Sequence, residues 1–249
     1  MVCSSMHEGR HREAHRKPAP VPPPKHTNGL SGPHRDELLR LLAAAAANVC
    51  QHEVKGHNCD EDKYLGLRLR RTESGSRCTG AKDYMAYAVY RVVSGPLHNK
   101  TILAYQGSSC DAHLVQDFKQ MLGRFKSVAD KAEAVYEDVG PDFITGHSLG
   151  GCIAEVVCSR TGCRGAAFNS PGPWSSEPDH CVVDGDKHGG AEFEIHLAVA
   201  DPLVALANSN AGRRPHGHIG SEQSGAVHWH FAISGLHSMD AMVNDLGHL

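Results

Sequence analysis

No apolar run in this chain of 249 residues approaches the roughly 20 residues that a bilayer-spanning helix requires. The start, Met1-Val2-Cys3-Ser4-Ser5-Met6-His7, lacks the apolar core of a secretory signal, and Val2 stands where myristoylation needs a glycine. A basic excess is missing too. The 25 Lys and Arg against 28 Asp and Glu leave a net charge of −3, so no nucleic-acid partner is expected. Nine cysteines contain no repeated C-x-x-C spacing. Without a signal sequence they read as reduced thiols, and the expected location is cytoplasmic.

What is present describes a folded domain with a tail. A hydrophobic share of 40% and a charged share of 21% suit one sizeable core. Residues 1–33 are basic and proline-rich (Pro18, Pro20, Pro22, Pro23, Pro24) and are expected to be disordered, leaving residues 34–249 as the domain. The 19 histidines include His7, His11 and His15 at helical spacing, a loose group of His52, His57 and Cys59, and His228 with His230 on one strand face. Compositional bias accounts for them, and no metal or organic cofactor is expected.

Asp36 to about Val54 reads as a helix, with Leu38, Leu39, Leu41, Leu42 and an alanine run. Residues 55–83 are polar and read as irregular cover. Strands are expected at 84–93, 101–105, 143–145, 166–169, 194–199 and 227–233, and helices at 114–122, 128–136 and 149–159, with a last helix at the carboxyl end. Residues 173–190 read as a polar loop. Strands alternating with helices predict an α/β fold with a mixed, mostly parallel sheet flanked by helices.

The most informative stretch is Gly146-His147-Ser148-Leu149-Gly150-Gly151, between the apolar run Phe143-Ile144-Thr145 and the helix-like Cys152–Cys158. This is G-x-S-x-G in strand–turn–helix context. A serine on so sharp a turn needs small neighbours, and the turn lifts its hydroxyl clear of the sheet at a helix start, where negative charge is favoured. Such a hydroxyl becomes nucleophilic when a base accepts its proton and a third group holds that base. In hydrolases with this turn the order is Ser, acid, His. Asp201, at the close of Leu197-Ala198-Val199-Ala200, is the candidate acid; its alternative role is capping the turn that follows. Asp179, Asp184 and Asp186 lie in the polar loop. His237, after the last strand, is the candidate base, with His230 and His218 as alternatives. The N–H of Leu149 and that of Ser108, in Tyr105-Gln106-Gly107-Ser108, are the candidate oxyanion donors.

So placed, the chain from about Tyr84 onward resembles the class 3 (fungal-type) lipases of the α/β-hydrolase fold. Tyr105-Gln106-Gly107-Ser108 looks like the family's oxyanion loop, and Asp117 keeps an acid that follows it, while Leu114 replaces a tryptophan. Phe168-Asn169-Ser170-Pro171-Gly172 resembles its Phe-x-x-Pro segment, and Asp201-Pro202-Leu203-Val204 its Asp-Pro-Val stretch. His218-Ile219-Gly220-Ser221-Glu222 is similar to a segment whose histidine is structural. The resemblance implies a serine carboxylic-ester hydrolase, lipase- or esterase-like, with the catalytic triad Ser148, Asp201 and His237 and a role in lipid metabolism. Gln106 stands in place of the family's arginine, which removes a supporting ion pair. The lid segment Ser109–Leu114 is short and polar, so weak interfacial activation and a preference for soluble or short-chain esters are expected. The expected partners are an ester or lipid substrate and a transient contact with a membrane or lipid-droplet surface. Phospholipase A1, acyltransferase and thioesterase activities fit the same residues. An inactive hydrolase-fold binding protein and a histidine-rich metal-binding protein are the rivals from other classes.

Overall fold

A computed structural model describes residues 28–50, 68–77, 85–107, 125–173, 192–199, 201–202, 204, 217–220, 225–231 and 239–247. Its seven strands are β1 (Leu69–Arg77), β2 (Met85–Val92), β3 (Thr101–Tyr105), β4 (Phe143–His147), β5 (Arg164–Phe168), β6 (Phe193–Ala198) and β7 (Val227–His230). The helices are α1 (Arg35–Cys50), α2 (Phe125–Val139), α3 (Leu149–Thr161) and α4 (Met239–Gly247). The strands lie side by side in chain order; β1, β2 and β3 pair antiparallel, and β3 through β7 run parallel. The protein is therefore a mixed α/β structure with a mostly parallel seven-stranded sheet.

Alternation along the strands divides the core in two. Met85, Tyr87, Val89, Leu103, Tyr105 and Ile144 face α2 and α3. Ala88, Tyr90, Val92, Ile102, Ala104, Phe143, Ala166 and Phe168 face α1 and α4. Helix α1 carries Asp36 and Glu37 in its first turn, where the helix dipole favours them. From Leu38 to Val49 it is buried apart from Arg40, as befits a helix apolar around most of its circumference. Helix α2 buries Phe125, Val128, Ala129, Ala132 and Val135, one stripe at helical spacing. It docks on α3 through Arg160, whose buried guanidinium lies 2.9 Å from both Asp130 and Glu133.

The Tyr105 hydroxyl donates to the Ala132 carbonyl at 2.9 Å and so ties the sheet to α2. Tyr105→Phe should lower the unfolding free energy by about 1 kcal/mol. Urea titration checks this, and an unchanged midpoint would show that the bond contributes nothing net.

Two expectations change. Residues 69–77, read as irregular cover, form β1, paired along the whole of β2 with a bulge between Arg71 and Glu73. Its sequence, LRRTESGSR, has no apolar alternation because it is an edge strand with little to bury. Residues 28–33, assigned to the tail from sequence, are also in contact with the sheet. Asn28 bridges Glu192, the Leu30 N–H donates to Glu194 at 2.8 Å, and Leu30 is buried. The helix expected at 114–122 and most of the loop at 173–190 lie outside the described residues. No helix among the described residues is long and apolar enough to cross a membrane.

Candidate active site

Ser148 is the single residue between the end of β4 and the first residue of α3. Its backbone sits at φ 57°, ψ −123°, a conformation that costs an L-residue roughly 1–3 kcal/mol and persists only where neighbours enforce it. The neighbours do so here. The Ser148 N–H donates to the Phe168 carbonyl of β5 at 2.9 Å, and the Cys152 N–H closes the first helical turn on the Ser148 carbonyl at 3.1 Å. The hydroxyl makes no capping bond to its own helix. The first N–H groups of α3, beginning with Leu149, have no acceptor within the helix.

Glycine makes the turn possible at two positions. A Cβ on Gly146 would stand 2.2 Å from the Gly150 carbonyl oxygen, and one on Gly150 would stand 2.1 Å from that of Tyr105. Helix α3 thus crosses β4 and the end of β3 at backbone contact. Gly150→Ala should cost about 1–3 kcal/mol, as overpacking does, read as a lower thermal midpoint. Wild-type stability in that variant would mean that the turn yields easily. Gly107 passes over the same turn, where a Cβ would lie 2.7 Å from the His147 carbonyl oxygen and 3.4 Å from the Ser148 Cβ. The chain leaving β3 therefore runs directly past the serine. Ser108 follows Gly107 and lies outside the described residues.

Asp201 is buried three residues beyond the end of β6. Its N–H donates to the Ala198 carbonyl at 3.1 Å, and its Oδ1 accepts the Val204 N–H at 3.2 Å. That is the capping role open to it from sequence. Strands β4, β5 and β6 are parallel neighbours, so Ser148 and Asp201 both follow carboxyl ends at one edge of the sheet, on strands about 10 Å apart. Asn169, at φ 46°, ties the intervening ends together: its Oδ1 accepts the Ala198 N–H at 2.9 Å, and its own N–H donates to the His196 carbonyl at 2.8 Å. β7 ends at the same edge. His237 lies beyond it, outside the described residues.

The two alternative bases have other partners. His230 holds Asp245 with one ring nitrogen and His196 with the other. His218 Nδ1 lies 3.1 and 3.2 Å from the two oxygens of Glu155, which α3 buries completely.

Glu155 is the residue that sequence reading missed. Besides His218 it accepts the Ser170 hydroxyl at 2.5 Å and the Ile219 N–H at 3.0 Å, and Ser170 also contacts Cys152 Sγ at 3.3 Å. This network joins the helix behind Ser148 to the exit of β5. The available signal was one charged residue inside the apolar run Cys152–Cys158. Cys152, Cys158 and Cys163 are free and buried. Burial pushes the Cys152 thiol well up, so it stays protonated and is no nucleophile. No protein-family model matches the chain, and no curated protein is similar enough to it to show kinship.

Proposed function

We propose that this chain is a serine carboxylic-ester hydrolase of α/β-hydrolase type, acting through an acyl-enzyme on soluble or short-chain esters. One observation carries the reading. Ser148 is held at positive φ between a parallel strand and a buried helix, with backbone packed against it from two sides. Strain of this kind needs a reason, and presenting a hydroxyl beside helix N–H groups is one.

In this reading the Ser148 Oγ attacks the ester carbonyl while His237 takes its proton. The carbonyl oxygen becomes an oxyanion facing the N–H groups of Leu149 and Ser108. The tetrahedral intermediate collapses, the C–O bond to the alcohol breaks, and His237 returns the proton to the leaving oxygen. Water then attacks the acyl-serine by the same sequence, releasing the acid. Asp201 holds and orients the imidazolium.

A fluorophosphonate probe tests the assignment. Covalent labelling mapped to Ser148 by peptide mass spectrometry, together with turnover of a short-chain nitrophenyl ester, is the expected result. A folded, unlabelled and inactive protein would overturn it and favour a binding role, which Gln106, buried where lipases of this kind carry arginine, makes the natural second reading.

A further inference from the structure

Strands β6 and β7 gather polar side chains on the face that packs against α1 and α4. Glu194 and His196 stand two apart on β6, so they share that face. His228 is the direct cross-strand partner of His196, and His230 follows two residues on. Elsewhere in the sheet this face is filled by residues such as Tyr90, Ile102, Ala104, Ala166 and Phe168. Glu194 is only 1% exposed and His196 only 2%. Burying a carboxylate and an imidazole in place of apolar groups is costly unless each is fully partnered.

We propose that Glu194 Oε2, His196 Nε2 and His228 Nε2 form a binding site for a divalent first-row transition ion of the zinc type. The three donor atoms lie within 4.8 Å of one another. From Oε2 the separations are 3.0 Å to His196 and 3.6 Å to His228. Two donors on a tetrahedral ion, each about 2.0–2.1 Å from it, stand about 3.4 Å apart, a value between the two. His228 Nε2 is buried without a hydrogen-bond partner among the described residues. Its ring is stacked on His196 at 4.9 Å, and about one third of its side chain is exposed, so it turns in plane with the ion without moving the core. One carboxylate and two imidazoles suit zinc and leave its fourth position to water.

The surroundings match what a ligating histidine requires. His196 Nδ1 lies 2.8 Å from His230 Nε2, and His230 Nδ1 lies 2.5 Å from Asp245 Oδ2 on α4. With the His196 Nε2 lone pair on an ion, its Nδ1–H donates to His230, whose Nδ1–H donates to Asp245. Both rings are then neutral with every nitrogen engaged, an extended form of the carboxylate–histidine–metal arrangement. Glu194 is oriented from the other side: Oε1 accepts the Leu30 N–H and Arg35 Nε, and Oε2 accepts Arg35 Nη2, each at 2.8 Å. The guanidinium uses one lone pair of Oε2 and the ion takes the other.

The test uses the full chain, stripped with chelator and titrated with zinc alone, with bound zinc measured after gel filtration. To separate this site from any zinc held by the amino-terminal imidazoles, wild type is compared with His228→Ala and with a variant carrying His7→Ala, His11→Ala and His15→Ala. The expected result is one tight equivalent that survives the triple replacement and weakens at least tenfold in His228→Ala, whose folding circular dichroism confirms. Cobalt(II) at the same site should give the intense visible bands of tetrahedral coordination, absent from His228→Ala. No tight equivalent in wild type, or an equal one in His228→Ala, overturns the proposal. Neither readout involves Ser148 or ester turnover, so this result is independent of the hydrolase assignment.

Discussion

Ser148→Ala should lower kcat for ester hydrolysis by at least about 10³-fold, leave KM nearly unchanged and abolish fluorophosphonate labelling. The hydroxyl makes no capping bond to its helix, so its loss should cost little stability. Ser148→Gly sharpens the experiment. It is equally inactive in expectation, but glycine adopts φ 57° without the steric cost that a side chain bears there. Relief of about 1–3 kcal/mol outweighs the roughly 0.5–1 kcal/mol of added chain entropy. The glycine variant should therefore melt above the alanine variant. Thermal midpoints and initial rates of the three proteins decide the matter. An alanine variant with wild-type turnover removes Ser148 from the chemistry, and a glycine variant less stable than alanine removes the strain argument.

Glu155→Ala is expected to be the most destabilising single replacement at the site, at about 3–5 kcal/mol. The carboxylate is completely buried and accepts from Ser170, His218 and the Ile219 N–H. Removing it leaves the Ser170 hydroxyl, His218 and the Ile219 N–H without their acceptor and opens a cavity behind α3. Against a typical total of about 5–15 kcal/mol, that loss brings the protein near its unfolding threshold. Glu155→Gln keeps the shape and one acceptor oxygen and should cost less, about 1.5–3 kcal/mol, the worth of a hydrogen bond to a charged group. Urea midpoints for the two variants give the comparison. A Glu155→Ala protein within 1 kcal/mol of wild type, an error margin set by denaturant extrapolation, would show that the network is ornamental.

The turn around Ser148 was legible because its causes are local. Gly146, Gly150 and the flanking apolar runs lie within a few residues of one another, and G-x-S-x-G implies the strand–turn–helix that the structure contains. Periodicity likewise revealed α1, α2 and the parallel strands to within a few residues. The failures share one physical cause: the stabilising partner is remote. Strand β1 is charged and carries Gly75, and only its pairing with β2 makes it a strand. Glu155 is explained by His218, 63 residues away. His228 and His230 were visible as a same-face pair, but nothing in their neighbourhood indicated that Glu194 and His196 would face them across the sheet. Asp201 is an intermediate case. Its position after β6 was foreseen, and the structure shows it capping the next turn, a role that position alone could not separate from a catalytic one.

The anchoring of Leu30 to Glu194 has a consequence for biosynthesis. That contact spans 164 positions of the chain, and α1, packed against β2 through β5 and α4, has little of its apolar surface covered until those partners exist. During translation the alanine-rich helix emerges before these partners and waits for them before it can dock. Long-range closure of this kind slows folding and leaves a nascent chain open to aggregation. Fragments released early, before β6 is made, would be the species that chaperones hold and proteases clear.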